Sequence, residues 1–294
     1  MTRWKISFIP YYMVSKMKWQ AAKPSEAIKV LAAAGYDGVE WMLHYHFNSK
    51  SELRQLVEDT RENHLEVSNI MCWEDIVTTN KNSRIKSVNT LKQYVAAAHE
   101  MDIPVMNIFT GPMTWIPNSA KIGDEISEET AWRYVVDAFR EIVEAAEKNN
   151  IIVTVEAVFG MLVHDYYTMK ELLEHFDSKN LAVNLDPSHL VLYGNDPSFA
   201  AKRFGKRIRH VHVKDAFGRP GILGESFEFP ILGEGMVDWK RFFTSLREAQ
   251  YQGYLSLEFE NETYLRNVCG GDWKKVAVES KKRLQNFLNS YHLS

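Results

Sequence analysis

Four short runs in the 294-residue chain close on side chains that can hold a cation or move a proton. They are VTVE, ending at Glu156; NLDPSH, carrying Asp186 and His189; HVHVKD, from His210 to Asp215; and LSLE, ending at Glu258. Each is aliphatic or β-branched before its polar ending, as a buried strand is. Side chains alternate between the two faces of a strand. Glu156 therefore shares a face with Thr154, Asp186 with Asn184, His212 with His210 and Lys214, and Glu258 with Ser256. Taken singly, each reads more readily as a cap or hydrogen-bonding group near a strand end. Taken together, four strand ends of one parity predict one site. Three bare carboxylates cannot share a buried pocket: either protons stay on, or a cation lies between them. Three carboxylates and one imidazole suit one divalent metal ion, Mn²⁺ first, with Mg²⁺, Co²⁺, Zn²⁺ and Fe²⁺ also compatible.

Such a site needs elements that bring those strand ends together. Strand-like segments are expected at residues 5–9, 37–41, 65–71, 104–109, 151–156, 181–186, 207–213 and 254–259, with helix-like segments between them and after the last. Within 127–149, for example, Val135, Phe139, Ile142 and Ala146 form one apolar stripe. Eight strand-then-helix units predict an α/β fold, a closed (β/α)8 TIM barrel, with a doubly wound open sheet as the alternative. Connections from helix to strand are tight, as at Gly35 to Tyr36 and Asp102 to Ile103. Those from strand to helix are long, spanning 72–82, 110–126, 216–237 and 260–271. One face is elaborated and the other plain, as in barrels that carry their sites where strands end. No linker or repeat divides the chain, so residues 1–294 are expected to form a single domain.

Composition excludes several classes of function. With 45% hydrophobic and 25% charged residues, the chain is that of an ordinary soluble globular protein. A formal net charge of -3 leaves no surplus for a phosphate backbone, so nucleic acid is not an expected partner. Two cysteines, Cys72 and Cys269, form no disulfide framework or metal-type pair, which fits a cytoplasmic location. Pro10 and two tyrosines after Arg3 and Lys5 argue against a signal peptide, and no apolar run is long enough to span a membrane. A homo-oligomer is compatible with everything in the composition.

The runs VTVEAVFG, NLDPSHL, HVHVKDAFGRPG and PILGEGMVDWKRFFTSLREAQYQGYLSLEFE resemble the sugar isomerase and epimerase family with xylose-isomerase-like barrels. That family includes ketohexose epimerases and inosose dehydratase-like enzymes. By fold the resemblance covers nearly the whole chain. Its motifs lie between Glu156 and Glu258 and specify the family more than the substrate. The resemblance implies that Glu156, Asp186, His212 and Glu258 ligate one divalent metal, and that Glu156 and Glu258 exchange protons with a sugar or sugar phosphate through an enediolate. It further implies that His189 and an arginine after strand seven, Arg219, hold substrate oxygens. Lys214 should point inward, to substrate or to a neighbouring carboxylate, and Glu40, inward-facing on strand two, should lie near the substrate pocket. His44, His46, Trp73, Trp115, Phe159 and Tyr264 sit in loops of the same face and are weaker candidates for substrate contact.

Three alternatives remain open at this point. A metal-dependent dehydratase of a polyhydroxy ketone would use the same chemistry, and a non-catalytic sugar-binding barrel would use the same fold. A zinc phosphodiesterase would need further histidines where this chain has Met71, Cys72, Phe109 and Thr110.

Overall fold

The structure, a computed structural model, describes residues 3–15, 18–113 and 119–293. Its frame is eight strands: β1 (Lys5–Phe8), β2 (Gly38–Met42), β3 (Glu66–Cys72), β4 (Val105–Ile108), β5 (Ile152–Glu156), β6 (Leu181–Leu185), β7 (Ile208–Val213) and β8 (Tyr254–Leu257). Neighbours in the chain are parallel neighbours in the sheet, and β8 returns to β1 with Ile6 opposite Leu255. The expected barrel is therefore closed, and the open-sheet alternative falls because no strand edge remains unpaired.

Capping chemistry sets the helix starts. Ser49, Asn80, Ser127, Asp165, Asp238 and Asp272 each accept a backbone N–H from the first turn that follows. Burial sets the helix faces: Glu128–Asn149 buries Val135, Phe139, Ile142 and Ala146, the stripe its spacing predicts. One face of the strands packs under these helices, where Val153, Val155, Val211, Val213, Leu255 and Leu257 join the main apolar core.

The other face is unusual for a barrel, whose interior is ordinarily filled with branched apolar side chains. Here Ser7, Glu40, Asn69, Asn107, Thr154, Asn184, His210, His212 and Ser256 are all buried. Several pair with one another or with the residues above them: Thr154 Oγ1 donates to Asn107 Oδ1 at 3.1 Å, and Asn107 Nδ2 donates to Glu156 Oε2 at 3.2 Å. The inner face is thus a hydrogen-bonded column that leads up to the strand ends.

Some elements were not legible in the sequence. Tyr11–Ser15 and Lys18–Ala21 pair as an antiparallel hairpin after β1, and Phe217–Gly218 pairs with Phe227–Glu228 in the long loop after β7. Helices Pro187–Leu192 and Glu262–Asn267 are only six residues each, too short to display a period. The sixth strand stops at Leu185, one residue before the expected Asp186, because Asp186 caps the helix that Pro187 begins.

The loop 216–237 hangs from one buried carboxylate. Asp215 accepts from the backbone N–H groups of Ala216, Gly233, Gly235 and Val237 and from Trp239 Nε1. A side chain at Gly235 would collide with that carboxylate, so the close approach requires glycine there. Asp215→Ala strands five donors, three of them buried, and should cost about 3 kcal/mol in urea unfolding, with faster proteolysis within 216–237. Unchanged stability and unchanged cleavage would contradict this role.

Candidate active site

Four neighbouring strands deliver four ligand-type side chains to one place. Glu156 is the last residue of β5, Asp186 follows β6, His212 lies near the end of β7, and Glu258 follows β8. One donor atom from each lies within 4.8 Å of the others, and all four residues are buried. Donors around a single divalent ion lie about 2.0–2.5 Å from it, and so within about 5 Å of one another.

Each member is aimed by something beneath it. Asn107 Nδ2 and Asn184 Nδ2 both donate to Glu156 Oε2 at 3.2 Å, which leaves Oε1 for the centre. Asp186 uses Oδ1 to accept Ser188 N–H at 2.8 Å, and its buried Oδ2 accepts no hydrogen bond. His212 turns Nδ1 to Glu156 Oε1 and Glu258 Oε2, 3.2 Å from each.

Lys214 is the internal counter-charge. Its Nζ lies 2.8 Å from Glu258 Oε2, 3.1 Å from Glu260 Oε2 and 3.2 Å from Asp186 Oδ2, and 4.7 Å from the ring centre of Phe229. One ammonium does not balance this many carboxylates, and the proton affinities record the imbalance. Burial, against the pull of Lys214 and with the charges of Glu156 and Glu258, pushes Asp186 up to about 7. Burial alone would lower His212, but Glu156, Glu40 and Glu258 outweigh it and hold the imidazole well above its ordinary value. Glu258 is also desolvated, yet Lys214 and His212 keep it well below the usual carboxylate range. The donor set and the unbonded Asp186 Oδ2 fit a divalent cation.

Above the cluster the remaining space is about 20 Å³, room for one water, and Tyr11, Trp19, Trp73, Phe109, Phe159 and His189 close it in. Anything larger than a water could enter only if those rings shift. A larger cavity of about 920 Å³ lies at the opposite end, where strands begin, around Lys5, Ile208 and Tyr254. It is remote from the carboxylate cluster, and barrel chemistry sits where strands end.

His189 reaches the pocket from the helix after β6. Its Nε2 lies 3.5 Å from Asp186 Oδ2 and 3.7 Å from Glu156 Oε1, too long for hydrogen bonds, while Nδ1 is buried without one. Burial and the nearby Lys214 charge keep its imidazole well below the ordinary value.

Two residues expected at or near the substrate lie outside the pocket lining. Arg219 is exposed in the loop after β7, where its N–H pairs with Ser226 O, and it does not line the pocket. Glu40 is inward-facing but lies beneath the pocket, with both oxygens taken by Asn69, Ser256, His210 and His212.

Among the weaker candidates, Trp73 and Phe159 line the pocket and Tyr264 does not. His44 pairs with Glu74 on the surface. His46 accepts Met42 N–H, meets Pro10 O, and is pushed down to about 4 by burial, as a structural imidazole. Trp115 lies outside the described residues.

Three residues of the site escaped the sequence reading. Glu260 accepts from Tyr11 OH at 2.8 Å and Trp19 Nε1 at 2.9 Å, and Tyr11 OH also bonds Glu258. Extending the strand-eight parity two residues past Glu258 would have found Glu260. Tyr11 and Trp19 arrive on a hairpin that has no comparable signal.

Fold and site together define a parallel (β/α)8 barrel with a buried carboxylate and imidazole cluster at the carboxyl ends of its strands. The family model described as xylose isomerase-like TIM barrel matches residues 28–287, and the chain belongs to that family. It is 25% identical over 150 residues to an inosose dehydratase of Bacillus thuringiensis (strain Al Hakam), across 47% of this chain and 50% of the relative. The match thus spans about half the length of that curated relative. Among solved structures, the IolI protein with a bound zinc atom superposes with a TM-score of 0.75 at 16% identity, over 98% of this chain and 99% of the other. L-ribulose 3-epimerase superposes at 0.74 with 17% identity, over 98% and 95%.

Removing the internal cation should be felt most when no metal is bound. Lys214→Met should destabilise the metal-free protein by about 3–5 kcal/mol, the range for breaking a buried pair. Added Mn²⁺ should then raise its melting temperature more than that of the unaltered protein. Equal melting of the two metal-free proteins would contradict the counter-charge role.

Proposed function

We propose that the protein is a divalent-metal-dependent isomerase or epimerase of a sugar or sugar phosphate, which transfers a proton at the carbon next to a carbonyl. The observation that carries this reading is the convergence of Glu156, Asp186, His212 and Glu258 on one point, with Glu156 and Glu258 both lining the same pocket. In this reading all four hold the metal, Mn²⁺ by the hardness of three carboxylates. The zinc in the IolI structure is compatible with the same donor set. When bound, the ion supplies polarisation of the substrate's oxygens, which acidifies the neighbouring C–H.

The protein's own groups do the rest. Lys214 and His212 keep Glu258 ionised despite its burial, so that it can accept a carbon-bound proton. Glu156 enters from β5, three strands away around the barrel, and can serve the opposite face of the substrate. One base suffices for isomerisation; two on opposite faces allow epimerisation. His189, with Nε2 unengaged by any close acceptor, takes a substrate oxygen, and Lys214 can reach another. Trp19, Trp73, Phe109 and Phe159 cover the apolar C–H faces of a ring.

A second reading, dehydration of a polyhydroxy ketone, is favoured by one further carboxyl. Glu260 lines the pocket, and burial, against the pull of Lys214, raises its proton affinity, so it can protonate a departing hydroxyl. The curated relatives named inosose dehydratase support it over half the chain. The partner in either reading is a sugar or polyol ketone. No described helix is long and apolar enough to cross a membrane.

Ketoses, their phosphates and inososes incubated with the Mn²⁺-loaded protein in heavy water decide between these outcomes. Proton transfer through an enediolate should place deuterium at the carbon next to the carbonyl in an isomeric product, whereas dehydration should give a product lighter by one water. Glu258→Gln should abolish turnover even where metal remains bound. An isomeric product free of deuterium after many turnovers, or full activity in that variant, would sink the proton-transfer reading.

A further inference from the structure

Glu40 lies in β2, fully buried, one layer below the cluster. Each of its oxygens meets two partners. Oε1 accepts from Asn69 Nδ2 at 2.7 Å and faces His212 Nε2 at 3.2 Å. Oε2 accepts from Ser256 Oγ at 2.8 Å and faces His210 Nε2 at 2.9 Å. A register slip produces this arrangement: Val39 stands opposite Val67, but Glu40 stands opposite Asn69, so the amide arrives alongside the carboxylate. A second slip, with Val183 opposite Ile208 but Asn184 opposite His210, lies in the strand pair that carries the two histidines.

A carboxylate accepts hydrogen bonds and cannot donate them. Both imidazole nitrogens turned to Glu40 must therefore carry hydrogens. For His212 this turns Nδ1 between Glu156 and Glu258, where a bound cation would take the place of its hydrogen. Asn184 Nδ2, also 3.1 Å from His212 Nε2, carries two hydrogens: one goes to Glu156 Oε2, and the other could pair with Nε2 only where that nitrogen kept its lone pair, the tautomer that the Glu40 carboxylate opposes.

We infer that Glu40 is a positioning residue: it locks His212 as the Nε2–H tautomer and so presents Nδ1 to the cation held with Glu156, Asp186 and Glu258. The inference rests on the proposed metal centre. Asn69, Ser256 and His210 hold Glu40 in turn, so that strands β2, β3, β7 and β8 all contribute to the aim of one ring. An imidazole that donates through its outer nitrogen is fixed in plane and made a stronger ligand. Glu40 thereby acts on metal affinity without touching substrate.

Mn²⁺ titrated calorimetrically into the unaltered protein and Glu40→Gln tests this, with circular dichroism to confirm that the variant is folded. The variant should bind roughly 10–100-fold more weakly. Affinity within about twofold of the unaltered protein would overturn the inference while leaving the metal centre standing. Failure of the unaltered protein to bind Mn²⁺ would overturn the metal centre itself, and this inference with it. Should Glu40→Gln not fold, nitrogen NMR of the histidine-labelled, Zn²⁺-loaded unaltered protein gives the answer directly. Hydrogen on Nε2 and metal on Nδ1 of His212 is the expected signature; hydrogen on Nδ1 overturns the inference.

Discussion

The constraint behind this structure is the burial of acidic side chains inside a closed barrel. Glu40, Glu156, Asp186 and Glu258 all lie out of water, and desolvated carboxylates are tolerated only when other groups supply hydrogens or charge. The interior polar residues answer that demand in layers. Asn69, Ser256, His210 and His212 serve Glu40; Asn107 and Asn184 serve Glu156; Lys214 serves Asp186 and Glu258. The apolar residues of the same strands are turned outward under the helices, which lets the barrel keep its core without filling its centre with branched side chains. At the top, Asp186 Oδ2 accepts no hydrogen bond and has Lys214 as its counter-charge, while the Nδ1 edge of His212 meets Glu156 and Glu258.

That layering separates the parts of the molecule that hold shape from those that handle a ligand. Asp215 ties a long loop to the barrel through five donors and takes no part in the pocket. Two residues back from Lys214, His212 touches the cluster on one ring edge and the supporting column on the other. Lys214 itself joins the cluster to Glu260 and, through it, to Tyr11 and Trp19 of the first hairpin. A short chain of hydrogen bonds thus links the charge at the centre to Tyr11 and Trp19 of the aromatic cover.

Strand parity made much of this legible, because the alternation of inward and outward side chains is local and survives ignorance of the fold. It was enough to group Glu156, Asp186, His212 and Glu258, and eight strand-helix units were enough for the barrel. Parity gives direction but not depth. Glu40 faces inward as expected, yet it lies beneath the pocket lining, and that depth is set by the stagger of β2 against β3 with its slip at Ser68. Arg219 depended on the path of a loop, which the backbone pairing at Gly218 and Phe227 decides. Tyr11 and Trp19 depended on a hairpin whose return toward the pocket has no signature in its own residues.

The central claim is that the four strand ends form one cation site. Its most direct test is a crystal of the Mn²⁺-loaded protein, measured for anomalous scattering near the manganese absorption edge. The account predicts one strong peak within bonding distance of Glu156, Asp186, His212 Nδ1 and Glu258. A fully loaded crystal with the peak elsewhere, and Lys214 still filling the space among those carboxylates, would contradict it.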